Sequence, residues 1–346
     1  GRSERNGHDD DRDDRRDDRD MEDDDRDRKV EEVMDIEKED AAFVLGRGGS
    51  TKRKIARVCG AELELDEHNL TITIFGTRRQ TDHAKDYLRF VMQQRTGPVY
   101  IDLTERRDDL TVYDVPEDCV GFVMGRSGAT LRSLEEEWGT LMFFARTDDR
   151  SQRSDEKLCI FGGLRARRGA ELKVMSAVEH KHPGYCVNSS GELREIERVK
   201  GDDDEDGWEC ETMLLTEENF SYALGAQGST RRKLATAAGC VLEYVGRVAC
   251  MAGYRKERKR AREYLGWLIE QRRGPVSVPD ASERDDVLVV KVPTASVGFI
   301  TGYRGESVRV PPRVLSREDA LSPPPPPPPP HTPPPRPAPP APPPTT

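Results

Sequence analysis

Four short glycine-bounded tetrads are the residues of this sequence best suited to bind a ligand. They read GRGG, GRSG, GAQG and GYRG and occupy residues 46–49, 125–128, 225–228 and 302–305. The outer glycines of such a GxxG loop carry no side chain, so a sugar-phosphate backbone can approach closely. Backbone N–H groups at the start of the following helix then face the phosphates. The tetrads therefore predict either a tight connection between two helices or a loop that binds a phosphate backbone without covalent chemistry, and the rest of the chain has to decide between them.

The loops differ in the charge that they carry. Arg47 lies in the middle of the first tetrad and Arg126 in the middle of the second, whereas Ala226 and Gln227 leave the third without a cation. Because phosphate contacts depend on Lys and Arg, we expect the third loop to hold a backbone less tightly. Basic side chains follow the first and third loops at once: Lys52, Arg53, Arg231, Arg232 and Lys233.

The segments around the first tetrad predict the helices that position it. Before the loop, EDAAFVLG predicts a short helix whose apolar side chains turn inward, namely Phe43, Val44 and Leu45. After the loop, a helix is predicted over residues 50–59, capped by Ser50 or Thr51 and ended by Gly60. The tetrad is therefore expected to connect two helix ends.

The rest of the first module predicts a hairpin and a final helix. AELEL and LTITIFG alternate apolar and polar residues around DEHN, which is the pattern of two strands joined by a turn. RRQTDHAKDYLRFVMQQR then places apolar residues on one helical face: Ala84, Tyr87, Leu88 and Val91. The order is strand, helix, tetrad, helix, strand, strand, helix.

The same order returns along the chain. YALGAQGSTRRKLATAAGCVLEY repeats FVLGRGGSTKRKIARVCGAELEL, with Gly225 lying 179 residues after Gly46. SVGFITGYRGESVR repeats CVGFVMGRSGATLR, with Gly302 lying 177 residues after Gly125. The chain is therefore a tandem duplication of a unit that holds two related modules.

This order, with apolar residues before each GxxG, resembles the K homology (KH) domain of the eukaryotic type. The resemblance rests on VLGRGG…I…GAELEL, VMGRSG…L…L…WGTLMFF and ALGAQG…L…GCVLEY. It implies an α+β fold of tandem small type I KH modules with the order β-α-α-β-β-α. Each module would have a three-stranded antiparallel sheet with three helices on one face.

The resemblance and the composition divide the chain into seven segments. These are a disordered Asp/Arg-rich tail at 1–29, KH modules at 30–97, 109–180 and 208–273, a polar and acidic linker at 181–207, a truncated fourth module at 286–310, and a disordered proline-rich tail at 311–346. Short, similar linkers predict a fixed relation within each pair of modules. The longer acidic connection predicts a loose relation between the pairs.

The fourth copy stops before its hairpin. Pro311 and Pro312 end its helix, and the proline tract follows. A strand and one or two short helices cannot bury a core. Either this copy does not fold or the native protein continues differently.

The resemblance also implies which residues bind. In KH domains about four nucleotides lie in a narrow groove beside the GxxG loop. By resemblance, the RNA-binding residues are Val44, Leu45, Gly46, Arg47, Gly48, Gly49, Lys52, Arg53, Ile55, Val123, Met124, Gly125, Arg126, Ser127, Gly128, Leu131, Gly225, Ala226, Gln227, Gly228, Arg231 and Arg232. Lys52 and Arg231 stand where the family pattern and the second module have an apolar residue, which favours a phosphate role for these two bases.

The composition, net charge and cysteine count of the chain limit the class of protein to which it can belong. Hydrophobic residues make up 34% of the chain and charged residues 35%, which favours several small domains over one large core. The net charge of −10 argues against binding nucleic acid by bulk charge. The sequence contains no apolar run of the ~20 residues that a membrane span needs. The seven cysteines form no CxxC pair, which indicates reduced thiols in an intracellular protein, nuclear or cytoplasmic.

We expect a non-catalytic protein, because no nucleotide-binding, zinc-protease, esterase or kinase motif is present. No cofactor or metal is expected. The predicted ligand is single-stranded RNA, or single-stranded DNA since the loop holds a backbone. The alternative is an interaction scaffold whose KH modules pack together while the proline tail recruits partners. In that tail, Arg336, Pro339 and Pro342 have the RxxPxxP spacing read by SH3 domains, and WW or EVH1 partners are further candidates.

Overall fold

The computed structural model describes residues 28–104, 107–146, 156–194 and 207–301. The chain divides into two compact units, residues 1–277 and 278–346. The N-terminal tail up to residue 27, most of the acidic segment, the fourth tetrad and the proline tract with its RxxPxxP spacing lie outside the described residues. Within the described part, no helix is both long and apolar enough to cross a bilayer.

The first module has the element order that its sequence predicts. Its elements are β1 (Lys29–Asp35), α1 (Lys38–Leu45), α2 (Ser50–Cys59), β2 (Glu62–Asp66), β3 (Thr71–Thr77) and α3 (Arg78–Thr96). The antiparallel sheet has the order β1-β3-β2. Strands β2 and β3 form the hairpin, and β1 pairs with the open side of β3. The predicted apolar face of α3 is buried, which confirms the helical spacing of Ala84, Tyr87, Leu88 and Val91.

The second and third modules repeat this order. The second consists of β5 (Leu110–Tyr113), α4 (Glu117–Met124), α5 (Ala129–Trp138), β6 (Leu141–Arg146), β7 (Glu156–Phe161) and α6 (Leu164–Lys181). The third consists of β8 (Glu209–Leu214), α7 (Glu217–Leu224), α8 (Ser229–Ala238), β9 (Val241–Val245), β10 (Val248–Gly253) and α9 (Arg255–Gln271). The linker adds β4 (Val99–Tyr100), which pairs in parallel with the edge strand β6.

Each of these two sheets is covered on its second face by the last helix of the preceding module. Helix α3 of the first module packs on the second sheet, where Tyr87 and Phe90 lie 5.4 and 5.3 Å from the ring of Phe161. The side chains of both modules share one apolar cluster. A helix therefore lies on the face that the resemblance left open, and the first two modules have a fixed relation, as predicted.

The second and third modules are joined in the same way. Helix α6 contributes Val174 and Val178 to a cluster that also holds Val241 and Val248 of the third sheet. Both faces of β9 and β10 are buried as a result. The expectation of a loose relation between the two pairs is therefore wrong, because the third sheet needs α6 to cover its apolar outer face.

Part of the predicted linker at 181–207 is folded. Glu179 accepts hydrogen bonds from the backbone N–H groups of Gly184, Cys186 and Val187 at 2.7 to 3.1 Å. Cys186 is 3% exposed and belongs to the cluster shared by the second and third modules. Residues 183–194 thus pack against the modules, since a buried carboxylate satisfies their backbone donors.

Gly169 fixes the packing of α6 on α5. A Cβ at this position would lie 2.0 Å from Cζ3 of Trp138, inside the indole ring. Gly169→Ala is expected to lower the free energy of unfolding by roughly 1–3 kcal/mol, because the ring must move in a filled core. Gly121→Ala in α4, where a Cβ would meet nothing within 4 Å, should instead raise it by about 0.5–1 kcal/mol. Urea unfolding of the two variants measures both values, and equal effects would contradict the packing argument.

The described part of the second unit, residues 278–301, contains helix α10 (Thr294–Thr301). The strand expected at the start of the fourth module is not formed there, and Leu288, Val289 and Val290 are 88%, 62% and 68% exposed. No apolar side chain of residues 278–301 is buried. The described residues 278–301 therefore form no core of their own, and the truncation of the fourth copy stays a prediction, because the rest of that module lies outside the described residues.

Candidate nucleic-acid interface

The first glycine of each of the first three tetrads is required by the space around it. Gly46 has φ 66° and ψ 177°, and a Cβ there would lie 2.2 Å from Oγ1 of Thr51. Gly125 and Gly225 repeat this geometry, and their Cβ atoms would lie 2.1 and 2.2 Å from the hydroxyl oxygens of Thr130 and Thr230. A side chain would clash at each of these three positions, so the start of each loop remains bare backbone.

In the first three tetrads, the third residue lies in the left-handed region. The φ angle is 58° at Gly48, 52° at Ser127 and 50° at Gln227. Serine and glutamine adopt this conformation here, so glycine is not required at the third position. The outer glycines, rather than the middle residues, define the loop.

The helices after the loops begin without side-chain caps. The N-cap residues are glycines in the left-handed region, namely Gly49, Gly128 and Gly228. No side chain forms a capping hydrogen bond to the first turn of these helices. The prediction that Ser50 or Thr51 caps α2 is wrong, because both residues lie inside the first turn of the helix. The first N–H of each of these helices donates to the carbonyl oxygen of the second tetrad residue, and no capping side chain takes up the N–H groups that follow it, which can face an anion.

An arginine folds back over each loop from the first turn of the following helix. Arg132 donates to the carbonyl oxygen of Ser127 at 2.7 Å, and Arg232 donates to that of Gln227 at 2.8 Å. Arg53 has the same repeat position, and its Nη1 would lie 3.0 Å from a Cβ on Gly49. All three side chains are exposed. Arg53 and Arg232 are among the residues predicted to bind RNA, and Arg132 is not, although the repeat register places it at the same position.

The groove of the second module is a cleft of about 840 Å³. Its own module supplies Met124, Ser127, Gly128, Leu131, Arg132 and Met142. The facing wall comes from the first module and the linker, including Phe43, Gly46, Arg47 and Val99. Arginines of the first and second modules thus line one cleft, together with apolar side chains.

The groove of the third module is built in the same way. It is a cleft of about 600 Å³, with Leu224, Gln227, Arg232 and Arg247 on the third module. Helix α6 of the second module supplies Lys173, Ser176 and His180 to the opposite wall. The third loop has no cation of its own, but its groove contains basic side chains from two modules.

Several residues predicted to line a groove are instead part of the core. Val44, Ile55 and Val123 are 0% exposed, so they position the loops without reaching a ligand. Leu131 is 7% exposed and Met124 is 37% exposed, and both line the second cleft. Leu45 and Lys52 are half-buried on either side of the first loop. Phe43, expected to turn inward, is 41% exposed.

Arg231 does not lie on the surface. It is 4% exposed, forms an ion pair with Glu243, and donates to the carbonyl oxygen of Leu242 at 2.9 Å. Burial raises the pKa of Glu243 to about 7, although Lys173 and Arg231 oppose this rise. The prediction that Arg231 contacts phosphate is therefore wrong, and Arg231 forms a structural ion pair instead. The local sequence around the loop does not show this pair, because Glu243 lies on β9.

Lys54 joins the first module to the second at the bottom of the second cleft. Its ammonium group lies 2.9 Å from both carboxylate oxygens of Glu135, which also accepts the backbone N–H of Met142 at 2.9 Å. Burial raises the pKa of Glu135, and the charge of Lys54 lowers it in part. In the second module, the Glu135 carboxylate thus accepts the backbone N–H of Met142 on β6. In the third module, Arg231 donates to the backbone carbonyl of Leu242, which has the same repeat position on β9.

A group of ligand-type side chains lies between α3 and the start of the second module. Ligand atoms of His83, Asp108 and Asp109 lie within 4.8 Å of one another. Both oxygens of Asp109 already accept hydrogen bonds from Arg107, at 2.9 and 2.8 Å, and one also accepts from Tyr87 at 2.8 Å. These contacts favour an ion-pair network over a cation site.

Comparison with known proteins identifies the fold of the first two modules. Residues 31–90 and 110–176 match the family model of the KH domain. The KH domain-containing protein MJ0443 of Methanocaldococcus jannaschii is 26% identical over 122 residues, which cover 31% of this chain and 53% of that protein. The chain thus spans about half the length of this curated relative.

Among solved structures, Dim2p of Pyrococcus horikoshii OT3 is similar at 18% identity, over 43% of this chain and 90% of that chain, with a TM-score of 0.21. A chain of the a/eIF2alpha–aDim2p–rRNA complex from the same organism matches at 16% identity, over 43% of this chain and 85% of that chain, with a TM-score of 0.20. The family matches and the repeated element order lead to one conclusion. Residues 31–90 and 110–176 are KH domains in tandem, and the third module repeats their element order.

Proposed function

We propose that this protein binds single-stranded RNA without catalysis, through the GxxG loops of its first three modules. The observation that carries the proposal is the shared geometry of three loops. Each offers a bare first glycine, a helix N-terminus without a side-chain cap, and an exposed arginine over the loop. These are the groups that hold phosphates, and KH domains clamp about four nucleotides in this way.

The clefts favour the binding of single-stranded over double-stranded nucleic acid. Each cleft joins a loop to apolar side chains such as Met124, Leu131 and Leu224, against which an unstacked base can pack. The modules are fixed to one another, so a strand that binds one groove meets the next at high effective concentration. Single-stranded DNA would fit the same loops, because the proposed grip is on the backbone.

A scaffold function remains the second candidate, and one observation favours it. The second and third sheets are covered on both faces by helices of two modules, so much of the apolar surface serves packing between modules. A protein of this kind would display its modules without needing nucleic acid.

Binding of the full chain to a randomised single-stranded RNA pool tests the proposal, with a DNA pool of the same length as a parallel arm. We expect saturable RNA binding that weakens as salt rises, since phosphate contacts release counterions. The decisive comparison is with variants of the first two loops, whose expected behaviour is given in the Discussion. No binding by the wild-type chain would favour the scaffold.

A further inference from the structure

The cleft of the second module has an aromatic side chain from another module in its wall. Phe43 lies on α1, one helical turn before Gly46, and is 41% exposed. It lines the second cleft with Met124 and Leu131 of the second module. A large apolar ring that is left partly open to solvent inside a cleft is well placed to pack on a ligand.

The same repeat position is aromatic in the second module. Phe122 lies one turn before Gly125, is 46% exposed, and stacks on His180 with ring centroids 6.3 Å apart at an angle of 28°. His180 lines the cleft of the third module. At both junctions, the aromatic residue of one module therefore lies at or next to the groove of the following module.

The third module also has an aromatic residue at this repeat position, whereas the residue that follows it differs between modules. Tyr222 is 40% exposed, and the guanidinium of Arg272 lies 5.7 Å from its ring centroid. The next position along the helix is valine in the first two modules and alanine in the third. A purely apolar contact would also accept leucine or methionine, so the flat rings of Phe43 and Phe122, which lie at or next to a following groove, point to stacking surfaces, whereas Tyr222 lines neither cleft.

We propose that a nucleobase bound in the groove of the second module stacks on Phe43 of the first module. This inference rests on the proposed function. Aromatic rings stack with any base and contribute about 1–3 kcal/mol per base. Arg47 and Arg132 line the same cleft and can hold the phosphates on either side of the stacked base. The recognition unit is then the junction of two modules, with one module supplying the groove and the other the platform.

Three substitutions in the full chain separate stacking from general apolar contact. Phe43→Tyr keeps the flat ring and should bind RNA as the wild type does. Phe43→Leu and Phe43→Ala remove the ring and should weaken binding about 5- to 100-fold. Tyr222→Ala is the matched control, since it removes a ring at the same repeat position that does not line the second cleft. Circular dichroism melting shows that each variant is folded.

Abasic oligonucleotides identify the stacked base directly. A bound RNA is synthesised with one base removed at each position in turn, and each is titrated against wild type and Phe43→Ala. At the stacked position, base removal should weaken wild-type binding and cause no further loss in Phe43→Ala. Tyr222→Ala should still respond to base removal at that position.

The outcomes distinguish this inference from the proposed function. If Phe43→Leu binds as the wild type does, or if no abasic position is coupled to Phe43, the stacking platform is wrong while RNA binding stands. If the wild-type chain binds no RNA, the proposed function fails and the platform fails with it. Coupling at one position, kept in Phe43→Tyr and lost in Phe43→Leu, supports the proposal.

Discussion

Replacing the middle residues of the first two loops by aspartate should weaken RNA binding strongly while the chain stays folded. The variant carries Asp at Arg47, Gly48, Arg126 and Ser127. It removes two cations and adds four anions beside the helix ends that are proposed to face phosphate. Hydrogen bonds to charged groups are worth about 1.5–3 kcal/mol each, so losing one per loop weakens binding about 100- to 10,000-fold. Titration with a fluorescent single-stranded RNA at moderate salt measures this change.

The fold should tolerate these substitutions. Gly48 has φ 58° and ψ 30°, and Ser127 and Gln227 adopt nearly the same conformation with side chains. Aspartate enters the left-handed region more readily than most residues. A Cβ at Gly48 would meet nothing within 4 Å. Loss of binding can therefore be read as loss of the phosphate contact.

The control carries the same charge change away from the loops. Arg255, Lys256 and Lys259 are exposed on α9, and their replacement by Asp makes the net charge equally more negative. This control should bind within a few-fold of the wild type, because a local clamp depends little on charge beyond the ~8–10 Å Debye length. Equal loss in both variants would place the RNA on a general basic surface and contradict the loop assignment.

Replacing Arg107 by methionine should cause the largest loss of stability. Its guanidinium donates to both oxygens of Asp109 at 2.9 and 2.8 Å and to Asp86 at 2.7 Å. It also lies over the rings of Phe90 and Phe161, at the contact between α3 and the second sheet. The Asp109 side chain is 5% exposed, so Arg107→Met leaves a buried carboxylate without its cation. A cost of about 3–5 kcal/mol is expected.

The pH dependence of this loss has a definite sign. Burial by itself would raise the pKa of Asp109, but the hydrogen bonds and charge of Arg107 hold it below its ordinary value. The pair therefore contributes stability above the ordinary pKa of aspartate, and this stability is lost as the pH falls through the folded-state pKa. The difference between Arg107→Met and wild type should accordingly be largest at neutral pH and shrink in acid.

Urea unfolding followed by near-ultraviolet circular dichroism measures the effect at the junction of the first two modules. Arg89→Met is the control, since Arg89 is 62% exposed and lies 3.4 Å from Asp86, and exposed pairs contribute little. The double variant Arg107→Met, Asp109→Asn should regain part of the loss, because it removes the stranded charge. A loss no greater than that of Arg89→Met would refute the role assigned to the buried pair.

The sequence by itself determined the local elements. Helix α2 runs from Ser50 to Cys59 and ends at Gly60 in the left-handed region, as predicted, because periodicity and a glycine end signal act within a few residues. The hairpin of β2 and β3 follows from strict alternation in the same way. The repeat then carried this order to the second and third modules, and the family model matches the first two.

Only the tertiary structure decided how the modules meet. Lys52 and Arg231 share one repeat position, and Glu64 and Glu243 share another, yet Lys52 is half-buried and Glu64 exposed, whereas Arg231 and Glu243 form a buried ion pair. Phe43 follows the apolar pattern of α1 but lines the groove of the next module. Such contacts join residues that are far apart along the chain, and they depend on which helix covers which sheet. The local sequence pattern does not show which helix covers which sheet. The apolar area buried between modules and the charge pairs across them decide this arrangement.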